Sequence, residues 1–209
     1  MRRIEDLIRD ITSILEEKKV EYVIVGGIAV AAWGNIRTTR DVDIIVLIDG
    51  KEADELEEAL KREKFSIQAE DIRAALKERS HFTIFDDLSE YYIDGKGIYS
   101  GNDRLTLEKR RKVRLADFEF YVASPEDIIA NKLLFGSEQD VKDAEGIYAR
   151  QFDNLDMAYL EERCERLEVY EEFSTMKRRV ERNLKEEKKN PKSILNKNLS
   201  LKRKLYQRN

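Results

Sequence analysis

Two aspartates stand two residues apart in Asp41-Val-Asp43, at the head of the apolar run Ile44-Ile-Val-Leu-Ile48. Side chains alternate along a strand, so both carboxylates project from one face while Val42 and Ile44 project from the other. Carboxylates side by side repel, and apolar surroundings raise the cost of ionising both. A divalent cation between them reverses that balance. Mg²⁺ takes one or two protein carboxylates and completes its shell with water and phosphate oxygens. Two such ions ~4 Å apart can clamp the attacking and leaving oxygens of a phosphoryl group. A bare Asp-x-Asp also occurs at the start of ordinary solvated strands, so its surroundings must decide.

Those surroundings are specific. The β-branched run Glu21-Tyr-Val-Ile-Val25 is halted by Gly26-Gly27. Paired glycines let backbone N–H groups approach a triphosphate unobstructed, although a lone Gly-Gly is more often a plain turn. The loop Asn35-Ile-Arg-Thr-Thr-Arg40 places Arg37 and Thr39 next to the carboxylates. Guanidinium groups suit bidentate phosphate contact. The succession of strand, Gly-Gly, short helix, Arg/Thr loop and Asp-x-Asp strand is far more specific than any of its parts.

The elements that must hold these residues can be read from periodicity. Ile4, Leu7, Ile8, Ile11 and Leu15 predict an amphipathic helix over 3–18, and Ile28 to Trp33 a short buried helix stopped at Gly34. Helices are expected over 52–64 and 69–79, and strands over 82–85, 91–93 and 118–122. Ser124-Pro-Glu-Asp127 is a strong helix start: a Ser cap, Pro in the first turn and carboxylates at the positive end of the dipole. That helix should run to Phe135, with another from Ser137 to about 148. Residues 156–189 read as helical with few breaks, ended by Pro191. The expected organisation is an α/β core over 1–123, a helical region over 124–190, and a basic tail over 191–209.

Composition excludes several alternatives. Of the 209 residues, 39% are charged, and no run of ~18 apolar residues exists to span a membrane. The N-terminus is charged throughout, unlike a secretory signal, so a cytoplasmic protein is expected. Cys164 is the only cysteine and His81 the only histidine, which excludes an internal disulfide and Cys/His zinc sites. Cys164 should be an inert thiol and His81 a packed, hydrogen-bonded imidazole. Charge is unevenly spread. From Met176 onward thirteen Lys or Arg face three Glu, while the rest of the chain is acidic. Such a tail could meet a polyanion, an oligomer partner or the acidic body itself.

VIVGGIAVAAWGNIRTTRDVDIIV resembles the signature of the nucleotidyltransferase superfamily related to DNA polymerase β. The Arg37-x-Thr39-x-Asp41-x-Asp43 run is most similar to its AbiEii/AbiGii toxin-like branch. FYVASPEDIIANKLLFGSEQDVKDAEGIY resembles a second segment of that branch. The resemblance covers most of residues 20–150. It implies an α/β (α+β) fold, a minimal mixed sheet flanked by helices, with a helical C-terminal region. It also implies Mg²⁺ (or Mn²⁺) and transfer of a nucleoside monophosphate from a nucleoside triphosphate such as ATP to an acceptor hydroxyl. Carried over by position, Asp41 and Asp43 hold the metals and Gly26-Gly27 contact the triphosphate. Lys132 neutralises a phosphate, and Asp143 orients that lysine or the acceptor. The superfamily's third carboxylate matches Asp94 best, with Lys96 pointing the same way. Asp86 and Asp87 are rivals whose turn-like setting suggests a solvent-facing role. A tRNA end or a protein hydroxyl is the expected acceptor, as for the toxin of a toxin–antitoxin pair, with an antitoxin or a second copy as a candidate tail partner. The alternative is an inactive member of the fold serving as a nucleotide- or RNA-binding or antitoxin module.

Overall fold

The computed structural model describes residues 1–34 and 38–189. Arg37 and the tail from 191 lie outside the described residues. In chain order the elements are α1 (Ile4–Glu17), β1 (Glu21–Ile24), α2 (Gly26–Trp33), β2 (Asp41–Leu47), α3 (Ala53–Arg62), β3 (Phe65–Ser66), α4 (Ala69–Glu78), β4 (His81–Asp86), β5 (Tyr92–Lys96), α5 (Gly101–Glu108), β6 (Arg111–Leu115), β7 (Phe118–Val122), α6 (Pro125–Phe135), α7 (Glu138–Gln151), α8 (Met157–Arg166) and α9 (Tyr170–Lys189).

The strands form one mixed sheet in the order β3-β4-β5-β2-β1-β7-β6. Strand β1 pairs antiparallel with β2 and parallel with β7, while β2 pairs parallel with β5. The apolar run of β1 is buried because strands flank it on both sides: Tyr22, Val23 and Ile24 are all at most 2% exposed. Helix α1 buries Leu7, Ile8, Ile11, Ile14 and Leu15, the stripe its periodicity requires. It packs with α3, which in turn packs on α4. A second helical group, α2 with α6, α7, α8 and α9, is held by mutual contacts. Trp33 ties the two parts together. Its indole N–H donates to the Ala123 carbonyl at 2.8 Å, and its own carbonyl accepts from Gln151 at 2.9 Å. One core of buried side chains runs from α1 through the sheet to α9.

The α/β class and most elements follow the sequence expectation, with informative departures. The paired glycines are the first turn of α2 itself, not a turn ahead of it. Strand β5 continues through Asp94 to Lys96. Gly95 permits this: a Cβ there would meet the Phe82 ring at 2.3 Å, so the aromatic side chain of β4 fills the space a side chain would take. The long helical pattern after 156 breaks at residues 167–169, where Glu168 has φ 59°. Asp86 is buried rather than solvent-facing, because Arg2 pairs with it at 2.7 Å and Ser89 donates to it.

Candidate active site

The register of three strands draws the acidic residues together. Asp43 stands opposite Asp94 across the parallel β2–β5 pair, and Asp41 stands opposite Tyr92. Strand β4 adds Thr83 opposite Asp94 and His81 opposite Lys96. One face of the sheet therefore carries three rows: Phe85–Tyr92–Asp41, Thr83–Asp94–Asp43 and His81–Lys96–Ile45. Asp43 and Asp94 share the middle row, and Asp41 stands in the next row on the same face.

Each carboxylate is held by a donor. Thr39 Oγ1 donates to Asp41 Oδ1 at 2.5 Å, and Thr83 Oγ1 donates to Asp94 Oδ1 at 3.0 Å. Asp43 lies under the N-terminus of α2, where the Gly27 N–H donates to it and the helix dipole favours negative charge. Gly26 is required there. Its φ is +59°, and a Cβ would stand 1.8 Å from Asp43 Oδ2. The Asp43 carboxyl is nevertheless pushed above the ordinary range. Burial contributes most, followed by the like charges of Asp41 and Asp94, with Gly27 N–H and Lys132 opposing them. A cation arriving at this face would relieve two of those three causes.

A cavity of about 480 Å³ opens beside the carboxylates. Gly26, Asp43 and Asp94 line one end, and Lys96, Asn102, Asn131 and Lys132 line its walls. Lys132 is anchored by two carboxylates, Asp140 at 2.5 Å and Asp143 at 3.5 Å. Asp143 in turn accepts from Gln139 at 2.7 Å. Lys96 pairs with Asp103 at 2.7 Å. The structure thus brings Asp41, Asp43, Asp94, Gly26, Lys96 and Lys132 to one place, with Asp143 behind Lys132. Thr39 spends its hydroxyl on Asp41, and the Gly27 N–H is spent on Asp43. His81 departs from the packed histidine expected of it: it is exposed at the rim of the cavity. Cys164 is fully buried, and burial pushes its thiol up to about 12, as suits an inert side chain.

Asp103 and Arg163 had no place in the sequence expectation. Asp103 is the return arm of a capping box with Ser100, a readable S-x-x-D signal at the start of α5. Burial pushes its carboxyl up, but Lys96 and the backbone N–H of Tyr99 outweigh that and hold it below the ordinary range. Arg163 and Asp127 form a buried pair at 2.7 Å, with side chains 2% and 0% exposed. Thirty-six residues separate them, and no local pattern announces the contact.

The carboxylate face suits Mg²⁺ or Mn²⁺, hard ions that take oxygen ligands. Among the described residues no three Asp, Glu, His or Cys side chains close into a ready-made metal cage.

The chain belongs to the family described as "Nucleotidyltransferase of unknown function (DUF6036)", matched over residues 2–192. Its fold is similar to that of ANT(2")-Ia in complex with adenylyl-2"-tobramycin, at 13% identity and TM-score 0.50, covering 78% of this chain and 95% of that one. It is also similar to an antigenic nucleotidyltransferase-like protein from Paracoccidioides brasiliensis, at 18% identity and TM-score 0.51, covering 81% and 89%. No curated protein sequence matches it. No helix among the described residues is long and apolar enough to cross a membrane.

Proposed function

We propose that this nucleotidyltransferase moves a nucleoside monophosphate from a nucleoside triphosphate to the hydroxyl of a tRNA end or a protein, in the cytoplasm. The observation that carries the reading is the placement of Asp43 opposite Asp94, beside Asp41 and beneath the α2 N-terminus. In this reading Asp41, Asp43 and Asp94 hold divalent magnesium or manganese, which supplies charge neutralisation at the phosphates when bound. Asp94 also accepts the proton of the attacking hydroxyl. That hydroxyl forms a new bond to the α-phosphorus as the bond to pyrophosphate breaks. Gly26 offers its backbone to the triphosphate, and Lys132, held in place by Asp140 and Asp143, neutralises a phosphate. Catalysis is then mostly positioning and electrostatics. The role this chemistry would serve is that of a toxin whose partner restrains it.

The test is transfer of α-labelled nucleotide to total tRNA and to protein, with and without Mg²⁺. Label that appears only with metal, and vanishes in Asp41→Ala and Asp43→Ala, supports the reading. Absence of label on both acceptors with all four nucleotides favours the inactive binding module instead. Expression that arrests growth with intact carboxylates, and not with Asp43→Ala, supports the toxin role.

A further inference from the structure

The wall of the cavity facing α5 and α6 contains two amides in a fixed order. Arg163 NH2 donates to Asn102 Oδ1, Asn102 Nδ2 donates to Asn131 Oδ1 at 2.9 Å, and Asn131 Nδ2 donates to the Asp127 carbonyl at 2.8 Å. Both ends of this chain are decided by chemistry. A guanidinium can only donate, so the oxygen of Asn102 must face Arg163; a carbonyl can only accept, so the nitrogen of Asn131 must face Asp127. The amides cannot flip without facing like against like. Arg163 is itself immobilised by Asp127, which also accepts from Ser124 at 2.9 Å and Tyr159 at 3.0 Å. Among the described residues each amide nitrogen makes one hydrogen bond, so each keeps a second N–H. Both side chains line the cavity.

We infer that Asn102 and Asn131 present a pair of neighbouring N–H donors to the base of the incoming nucleotide and thereby select a base with two adjacent acceptors. Guanine offers O6 beside N7, and cytosine offers O2 beside N3. Adenine sets an acceptor beside its exocyclic amine, and uracil interrupts its two carbonyls with an N–H. Arg163 is the positioning residue: it touches no nucleotide and acts by fixing which way the amides point. The inference rests on the nucleotidyl-transfer reading, because it needs a nucleoside triphosphate in the cavity.

The experiment is equilibrium binding of GTP, CTP, ATP and UTP to the full chain with Mg²⁺. GTP or CTP should bind about tenfold more tightly than ATP and UTP, the size of one well-made discriminating contact. The separate GTP and CTP titrations decide which base is taken. Asn102→Asp keeps the oxygen that faces Arg163 but removes both N–H donors of that side chain, including the one that holds Asn131, so the preference for GTP or CTP should be lost. Asn102→Ala guards against misfolding of that variant and should level the four affinities. Arg163→Lys keeps a positive charge beside Asp127 but frees the Asn102 oxygen, and should reduce the GTP or CTP preference with the carboxylates untouched. Equal affinities in the native protein, a preference for ATP or UTP, or unchanged ratios in the Asn102 variants would overturn the inference and leave nucleotidyl transfer standing. Failure of all four nucleotides to bind the native protein would overturn both.

Discussion

Two clusters of buried charge obey opposite rules. On the helical side Asp127 meets Arg163, Ser124 and Tyr159, and its lone pairs are answered. On the sheet side Asp43 meets two further carboxylates, and burial raises its pKa. The first arrangement is what folding favours: a charge removed from water is paired and hydrogen-bonded. The second is retained against folding. Like charges are concentrated where a cation and a triphosphate would complete them. If the acids serve chemistry as proposed, stability and chemistry rest on different clusters, and substitutions should separate them.

The largest separation should come from the carboxylates. Asp43→Ala and Asp94→Ala should lower nucleotidyl transfer at least about a thousandfold, or about 4 kcal/mol of barrier, with thermal unfolding unimpaired. Steady-state transfer rates beside a melting curve check both halves of that statement. The opposite pattern is expected of Arg163→Met. It leaves Asp127 buried without its cation and should cost about 3–5 kcal/mol of stability in a denaturant titration. A third measure is ligand linkage. Mg²⁺ with a bound nucleoside triphosphate at 100 times its Kd should stabilise the native protein by about 2.7 kcal/mol, and Asp43→Ala should lose most of that gain.

Smaller effects sharpen the contrast through pH. Asp103 has a folded-state pKa below its ordinary value of 3.8. Its contribution is therefore fully present above about pH 4 and is lost as pH falls through the folded value. Asp103→Asn should cost about 2 kcal/mol at pH 7 and much less near pH 2, measured by urea unfolding at the two pH values. Asp43 has the opposite sign. Its raised pKa means the folded state holds the proton more tightly, so the ionised group weakens the fold as pH rises past the ordinary carboxylate range. Without metal, Asp43→Asn should raise the melting temperature at pH 7 by about 2–4 °C.

What the sequence discloses about the site follows from how local each signal is. Asp41, Asp43 and the glycines belong to one strand–helix–strand unit, so spacing alone predicts their shared face. Lys132 and Asp143 lie on consecutive helices whose caps, Ser124 and Ser137, are written in the sequence. Asp94 is harder, because its place depends on β5 joining β2 and on Phe82 covering Gly95. The same non-local origin hides α5 and β6, whose residues carry mostly charge and little apolar periodicity. Arg163 is least legible. Its neighbours on a charged helix give no local sign of burial, and only the contact with Asp127 on α6 shows its place. His81 and Asp86 depart from their local reading for the same reason: an edge position and a distant arginine decide their exposure.

The order of the strands has a consequence for synthesis. A chain leaves the ribosome N-terminus first, so Asp41 and Asp43 emerge well before Asp94, and Lys132 later still. Strand β7, which closes the other side of β1, also comes after β5. A nascent protein therefore exposes its first two acids long before the lysine and cavity wall that complete the site are available. The cavity can therefore close only once translation has passed α6.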